Sequence, residues 1–146
     1  MDAGAIVETA KNWKNVAEQK LCELYIYSNS VDTKKAKVSE SGNSMTVGFE
    51  YGHACDEEIT RIEHITVVLT LTPNGKRGEL EFVLKSPMGT SSKILAKRSH
   101  DYSTSGFSNY EFLTVEMWDE NPFGHWELVI TNFNSKRGVF LSQYVY

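Results

Sequence analysis

The chain has 146 residues, enough for one ordinary domain that buries about two-thirds of its unfolded surface, and its 40% hydrophobic and 23% charged content exclude a disordered polar segment. A formal net charge of −4 with no sustained Lys/Arg run argues against a phosphate backbone as partner, and no apolar run approaches the ~20 residues of a membrane-spanning helix. The first residues, Met1-Asp2-Ala3-Gly4, lack the basic and apolar regions of a secretory leader, which taken alone suggests the cytosol or a piece of a longer precursor.

Asp2 stands where a helix N-cap is needed, and Ile6, Ala10 and Trp13 recur at helical spacing, predicting a short amphipathic helix to about Lys14. So short a helix is marginal in water, and its narrow apolar stripe requires a partner surface. From residue 18 onward the pattern changes to short strands. Leu21 to Ser28 alternates as a first strand, Ala36 to Val38 as a short edge strand, and Ser44 to Tyr51 as a further strand with Met45, Val47 and Phe49 in register. After that strand, Gly52 to Glu58 is a polar loop that holds Cys55.

Arg61 to Thr90 reads as a buried β-hairpin. Ile65, Val67, Leu69 and Leu71 share one face, as do Leu80, Phe82 and Leu84, and Pro73-Asn74-Gly75 with Gly78 supplies the turn between them. Ser86-Pro87-Met88-Gly89 closes the second strand. A short strand follows over Ser92 to Lys97, then a loop over Arg98 to Asn109. The next strand is predicted over Tyr110 to Trp118, with Leu113, Val115 and Met117 on one face. After a turn containing Pro122 and Gly124, Trp126, Leu128 and Ile130 point inward on another strand, and Val139 to Tyr146 forms the last. Frequent turn signals and no βα alternation predict an all-β fold: an eight-stranded antiparallel jelly-roll-like sandwich with a short N-terminal helix.

Chemistry-bearing residues are sparse. Ser99-His100-Asp101 has the residue types of a catalytic triad, but consecutive side chains project in different directions and cannot form the relay. His53, Cys55, Asp56, Glu57, Glu58 and His64 invite a zinc reading, yet lack paired CxxC spacing. Asp119 and Glu120 beside Asn121 offer oxygen ligands for Ca²⁺, though a turn before the next strand, set by Pro122 and Gly124, is the better account of them. Of four dibasic pairs, Lys34-Lys35, Lys76-Arg77, Lys97-Arg98 and Lys136-Arg137, most read as solvated charges in strands and tight turns where a protease cannot extend them, and Lys34-Lys35, in the most polar segment, is the pair expected to be clipped if one is. Phe107, Tyr110 and Phe123, in or beside loops, are candidates for an apolar contact surface. Two cysteines, Cys22 and Cys55, decide little alone; a bridge would close a loop of about 34 residues, worth about 4 kcal/mol on the chain-entropy account.

Several fragments agree in order: Arg61-Ile62-Glu63-His64, Lys76-Arg77-Gly78-Glu79-Leu80, Ser86-Pro87-Met88-Gly89-Thr90, Asp101-Tyr102-Ser103, Gly106-Phe107, and Trp118-Asp119-Glu120-Asn121-Pro122 with Gly124 and Trp126. In this the chain resembles the P domain (Homo B domain) of kexin- and furin-like proprotein convertases, from about residue 18 to the end. It departs from that family's usual pattern at Glu79, where Asp is common, and at Leu141, where Trp is common.

The resemblance implies that residues 1–17 are the last helix and linker of a subtilisin-like catalytic domain and residues 18–146 the P domain. It implies a non-catalytic module whose own partner is that catalytic domain, contacted through Trp13, Phe107, Tyr110 and Phe123. No nucleic acid and no membrane segment are expected in this chain. The parent is expected to be a calcium-dependent serine endoprotease that processes secretory precursors at paired basic residues, with no cofactor in this chain and Ca²⁺ in the parent. The resemblance also pairs Cys22 with Cys55, fitting an oxidising secretory compartment, and gives Gly78, Pro87, Gly89, Asp101, Pro122 and Gly124 structural turn and loop roles. The competing reading is a carbohydrate- or peptide-binding jelly-roll module.

Overall fold

In a computed structural model, residues 2–15, 18–24, 36–41, 43–52, 59–73, 75–134 and 139–140 are described, with only the backbone described for 36–41 and 139–140. Among the described residues, one helix, α1 (Ala3–Lys11), precedes eight strands: β1 (Ala36–Ser41), β2 (Ser44–Tyr51), β3 (Ile65–Pro73), β4 (Leu80–Lys85), β5 (Ser91–Leu95), β6 (Phe107–Thr114), β7 (Gly124–Asn132) and β8 (Val139–Phe140). They form a five-stranded sheet in the order β1-β2-β7-β4-β5 and a three-stranded sheet in the order β6-β3-β8. Every pairing is antiparallel.

The period-two pattern builds the space between the sheets. Val67, Leu69 and Leu71 of β3, Leu80, Phe82 and Leu84 of β4, and Trp126, Leu128 and Ile130 of β7 are all buried, joined by Met45 and Val47 of β2. At ~1.5–3 kcal/mol for each large apolar side chain removed from water, this cluster is the main source of stability. The aromatic packing is edge-on: Phe82 meets Phe107 and Phe112 across the sandwich with ring centroids 5.7 and 5.4 Å apart. A buried polar contact crosses the same gap, where the hydroxyls of Ser92 and Thr114 lie 2.7 Å apart.

The expected hairpin of β3 and β4 is not a hairpin. The two strands lie in different sheets, β3 between β6 and β8, β4 between β7 and β5. The cause is the connection, which is longer than a tight two-residue loop and folds into a 3-10 turn at Arg77–Glu79. That turn is tied to the loop after β5 by three backbone bonds: Arg77 N–H to the Ser103 carbonyl (2.7 Å), Gly78 N–H to the Asp101 carbonyl (3.2 Å) and Arg98 N–H to the Gly78 carbonyl (2.8 Å). The chain is thereby carried over the edge of the sandwich, and each strand buries the same alternate residues against the other's sheet.

β6 also departs from expectation, starting at Phe107 and ending at Thr114. Phe107 and Phe112 both face the core although they are an odd number of residues apart, so one residue between them must be out of register. The pairing with β3 is irregular between Leu69 and Leu71, and Asn109 adopts φ 46° there. Asn109 is held by Thr70, whose hydroxyl donates to Asn109 Oδ1 and accepts from Asn109 N–H, both at 2.9 Å. Beyond Thr114 the chain turns, with Trp118 N–H donating to the Val115 carbonyl at 3.1 Å. This splits the predicted Leu113, Val115, Met117 face: Met117 is fully buried, whereas Leu113 and Val115 are exposed.

At the start of the chain, Asp2 Oδ1 accepts the Ala5 N–H at 3.1 Å, the predicted cap, and α1 ends at Lys11. No residue of α1 is buried. The predicted strand Leu21 to Ser28 is not found over Leu21 to Leu24, which form no strand, although Cys22 and Leu24 pack against the core. Its remaining residues, the polar loop from His53 to Glu58 and the last strand beyond Phe140 lie outside the described residues.

Candidate functional site

Asp101 organises the loops at the start of β4 and the end of β5. Its carboxylate accepts from Arg77 Nε at 2.9 Å and from Arg98 Nη2 at 2.9 Å, and its Oδ1 accepts the Ser103 N–H at 3.3 Å. The hydrogen bonds from Arg77 and then Arg98 hold the Asp101 pKa down at about 2 from 3.8, so the carboxylate stays charged through mild acid. Each arginine is second in a Lys-Arg pair, and each preceding lysine rests on a ring: Lys76 Nζ lies 4.8 Å from the Tyr102 centroid and Lys97 Nζ 5.2 Å from that of Phe133. Arg77 also covers the Phe107 ring at 5.4 Å.

Gly78 sits inside this junction and is buried. A Cβ there would lie 2.2 Å from the Arg98 carbonyl oxygen and 2.4 Å from that of Asp101, so only glycine fits. It lies in the 3-10 turn, two residues before β4 begins. Glu79 ties the same corner to the end of β7: its Oε2 accepts from Asn134 Nδ2 at 3.1 Å, and its carbonyl accepts the Phe133 N–H at 2.9 Å.

The other turn residues occupy the opposite end. Ser86 to Thr90 is a closed turn in which Ser86 N–H donates to the Thr90 carbonyl at 2.9 Å, with Pro87 partly buried and Gly89 at φ 93°, a conformation natural to glycine. Pro122 is buried and its carbonyl accepts the indole N–H of Trp126 at 2.8 Å, while Gly124 opens β7. Pro87, Gly89, Phe123, Gly124 and His125 border an open cleft of about 530 Å³. His125 lies between two carboxylates there, 2.8 Å from Glu50 and 3.8 Å from Glu127.

The four residues expected to contact a partner separate. Trp13 is 67% exposed and Tyr110 is exposed, but Phe107 is 6% exposed and packs in the core, and Phe123 is partly buried against Tyr51. Burial of Phe107 follows from the irregular β6 register, which the loop-like sequence Ser103 to Asn109 concealed. Sequence reasoning missed a second exposed apolar group on β6 and the turn beyond it: Leu113 (63%), Val115 and Trp118 (62%). Strict alternation carried past Thr114 hid them.

Among the described residues, geometry supports neither the catalytic nor the metal reading. His100 is exposed beyond a loop whose Asp101 is taken by arginines. Asp119 pairs with Arg61 at 3.0 Å, Glu120 accepts from the Thr90 hydroxyl, and among the described residues no group of three His, Cys, Asp or Glu is placed to hold one ion. His53 and Cys55 to Glu58 lie outside the described residues, as do Lys34-Lys35 and Lys136-Arg137. Cys22 is not a free thiol.

The family description "Proprotein convertase P-domain" matches residues 62–144. The chain belongs to the proprotein convertase P-domain family. Mouse furin is 43% identical over 132 residues, covering 90% of this P domain chain and 16% of that protein; Xenopus laevis Furin-1 is 38% identical over 146 residues, covering 99% and 18%. The "Endoprotease bli" of Onchocerca volvulus is 34% identical over 141 residues, covering 95% and 20%. The chain thus spans about a fifth or less of these relatives. A serine protease of Aeromonas sobria shares the fold, with a TM-score of 0.60 at 15% identity over 98% of this chain and 26% of that one.

Proposed function

We propose that this P domain is a non-catalytic module of a furin-like, calcium-dependent serine endoprotease that processes secretory precursors at paired basic residues. Its role is to stabilise the catalytic domain and to tune that domain's calcium and pH response. Residues 1–17 are then the last helix and linker of the catalytic domain, and residues 18–146 the P domain proper. The observation that carries this reading is that α1 has no buried residue, leaving Ile6, Val7 and Trp13 open, while Leu113, Val115 and Trp118 are open on the sandwich. Apolar surface of this kind, covered by a folded neighbour, stabilises that neighbour by mass-action linkage within one chain. The alignment of Xenopus laevis Furin-1 over 99% of the chain, helix included, supports the placement of α1.

Calcium belongs, on this reading, to the catalytic domain, since Asp119, Asp101 and Glu120 are engaged by Arg61, Arg77 and the Thr90 hydroxyl. The Cys22–Cys55 bridge and a secretory route go together: Cys22 is not free and the sequence holds two cysteines. The test is to express the parent protease with Trp13→Glu, Leu113→Glu and Trp118→Glu, singly and together. Loss of folded, active protease and a higher calcium requirement are expected. Equal yield and equal calcium dependence would defeat the reading.

A further inference from the structure

We propose that Lys76-Arg77 and Lys97-Arg98 are latent cleavage sites for a paired-basic endoprotease, both held closed by the single carboxylate of Asp101. The inference rests on the paired-basic specificity proposed above: a module carried by such a protease is exposed to that activity throughout its life. An endoprotease binds its substrate as an extended strand, with the basic side chains free to enter its pockets. Neither pair meets that requirement. Arg77 is in a 3-10 turn, its N–H given to Ser103 and its guanidinium to Asp101; Arg98 gives its N–H to Gly78 and its guanidinium to the same Asp101 oxygen.

The lysines complete the arrangement, Lys76 on Tyr102 and Lys97 on Phe133. All four basic side chains of the two pairs are therefore occupied, and the Arg77 and Arg98 sites share one lock. Arg98 N–H to Gly78 carbonyl bonding adds a backbone link between them. Opening one arginine releases two of the five hydrogen bonds that the carboxylate accepts and loosens the other arginine, so the two sites open together. Cleavage adds a water across either Arg77–Gly78 or Arg98–Ser99, its hydroxyl to the arginine carbonyl carbon and its proton to the new amine. The low Asp101 pKa keeps the lock charged in a mildly acidic compartment.

The experiment is limited proteolysis of this chain by furin, with fragments identified by mass. Wild type is expected to stay intact at both bonds, and Asp101→Asn to be cut at both, about tenfold faster or more, because cleavage follows the population of the open form. A parallel trypsin digest scores Lys85 and Lys93 in the sheet: a rise there equal to that at Arg77 and Arg98 signals global unfolding and overturns the proposal, as does unchanged furin cleavage. Should Asp101→Asn not fold, Arg98→Gln removes one of the two arginines on Asp101 and leaves Lys76-Arg77 intact as a substrate; a several-fold rise at Arg77–Gly78 supports the proposal and no rise overturns it. The parent's own preference is scored separately on a Lys-Arg peptide. Indifference to that peptide counts against the proposed function, while the furin result decides the lock.

Discussion

Phe82 and Phe107 meet edge to face between the two sheets, at 5.7 Å and an interplanar angle of 67°. The geometry places the positive edge of one ring on the negative face of the other, and a third ring, Phe112, closes the group at 5.4 Å from each. Phe82→Ala removes the fully buried member. It is expected to destabilise the domain by about 3–5 kcal/mol, measured by urea or thermal unfolding, and a loss below about 1 kcal/mol would show that the sandwich is not centred there.

Gly78→Ala is expected to cost about 1–3 kcal/mol, because the new methyl meets two backbone carbonyl oxygens that cannot rotate aside. The change should also speed amide exchange at Arg98, whose N–H is bonded to the Gly78 carbonyl. Wild-type stability in Gly78→Ala contradicts the corner described here.

Acid titration tests the Asp101 cluster. Its folded pKa of about 2 lies below the ordinary 3.8, so the contribution is fully present above pH ~4 and is lost as pH falls through 2. Stability of wild type minus that of Asp101→Asn should therefore shrink across that window and not between pH 5 and 8. Carboxyl NMR that finds Asp101 titrating near 4 would contradict the two-arginine arrangement.

Replacing both Cys22 and Cys55 by Ser is expected to lower stability by about 2–4 kcal/mol if they are bridged as proposed, and dithiothreitol should do the same to wild type. Tyr51, whose hydroxyl lies 3.6 Å from Cys22 Sγ, reports the change locally by fluorescence. Identical melting with and without reductant would remove the bridge from the account.

The strands were legible wherever alternation decided burial. Ser44 to Tyr51 matches β2, and Leu80, Phe82, Leu84, Trp126, Leu128 and Ile130 all point inward as their period requires. What a period of two does not encode is which strand lies beside which. Sequence proximity suggests a β3–β4 pairing, yet backbone bonds from Arg77 and Gly78 to Ser103 and Asp101 set the strands apart, and those residues take no part in the alternation. Alternation failed again where Asn109 took a positive φ, which turned Phe107 from an expected surface residue into a core one. The family could be read from ordered turn fragments because turns demand particular residues, Gly78 and Gly89 among them, and such demands survive changes elsewhere.

The position of β7 in the five-stranded sheet has a consequence for synthesis. β2 and β4 are not paired with each other; each is bonded to one edge of β7, which enters the chain only at residues 124–132. A nascent chain stopped before Gly124 therefore exposes two open strand edges with no internal partner, the condition that invites pairing with other chains. The sheet is completed by one late strand joining two earlier ones that waited for it, so the domain gains its stability near the end of translation rather than piecemeal, and a chain truncated ahead of β7 should be recovered as aggregate.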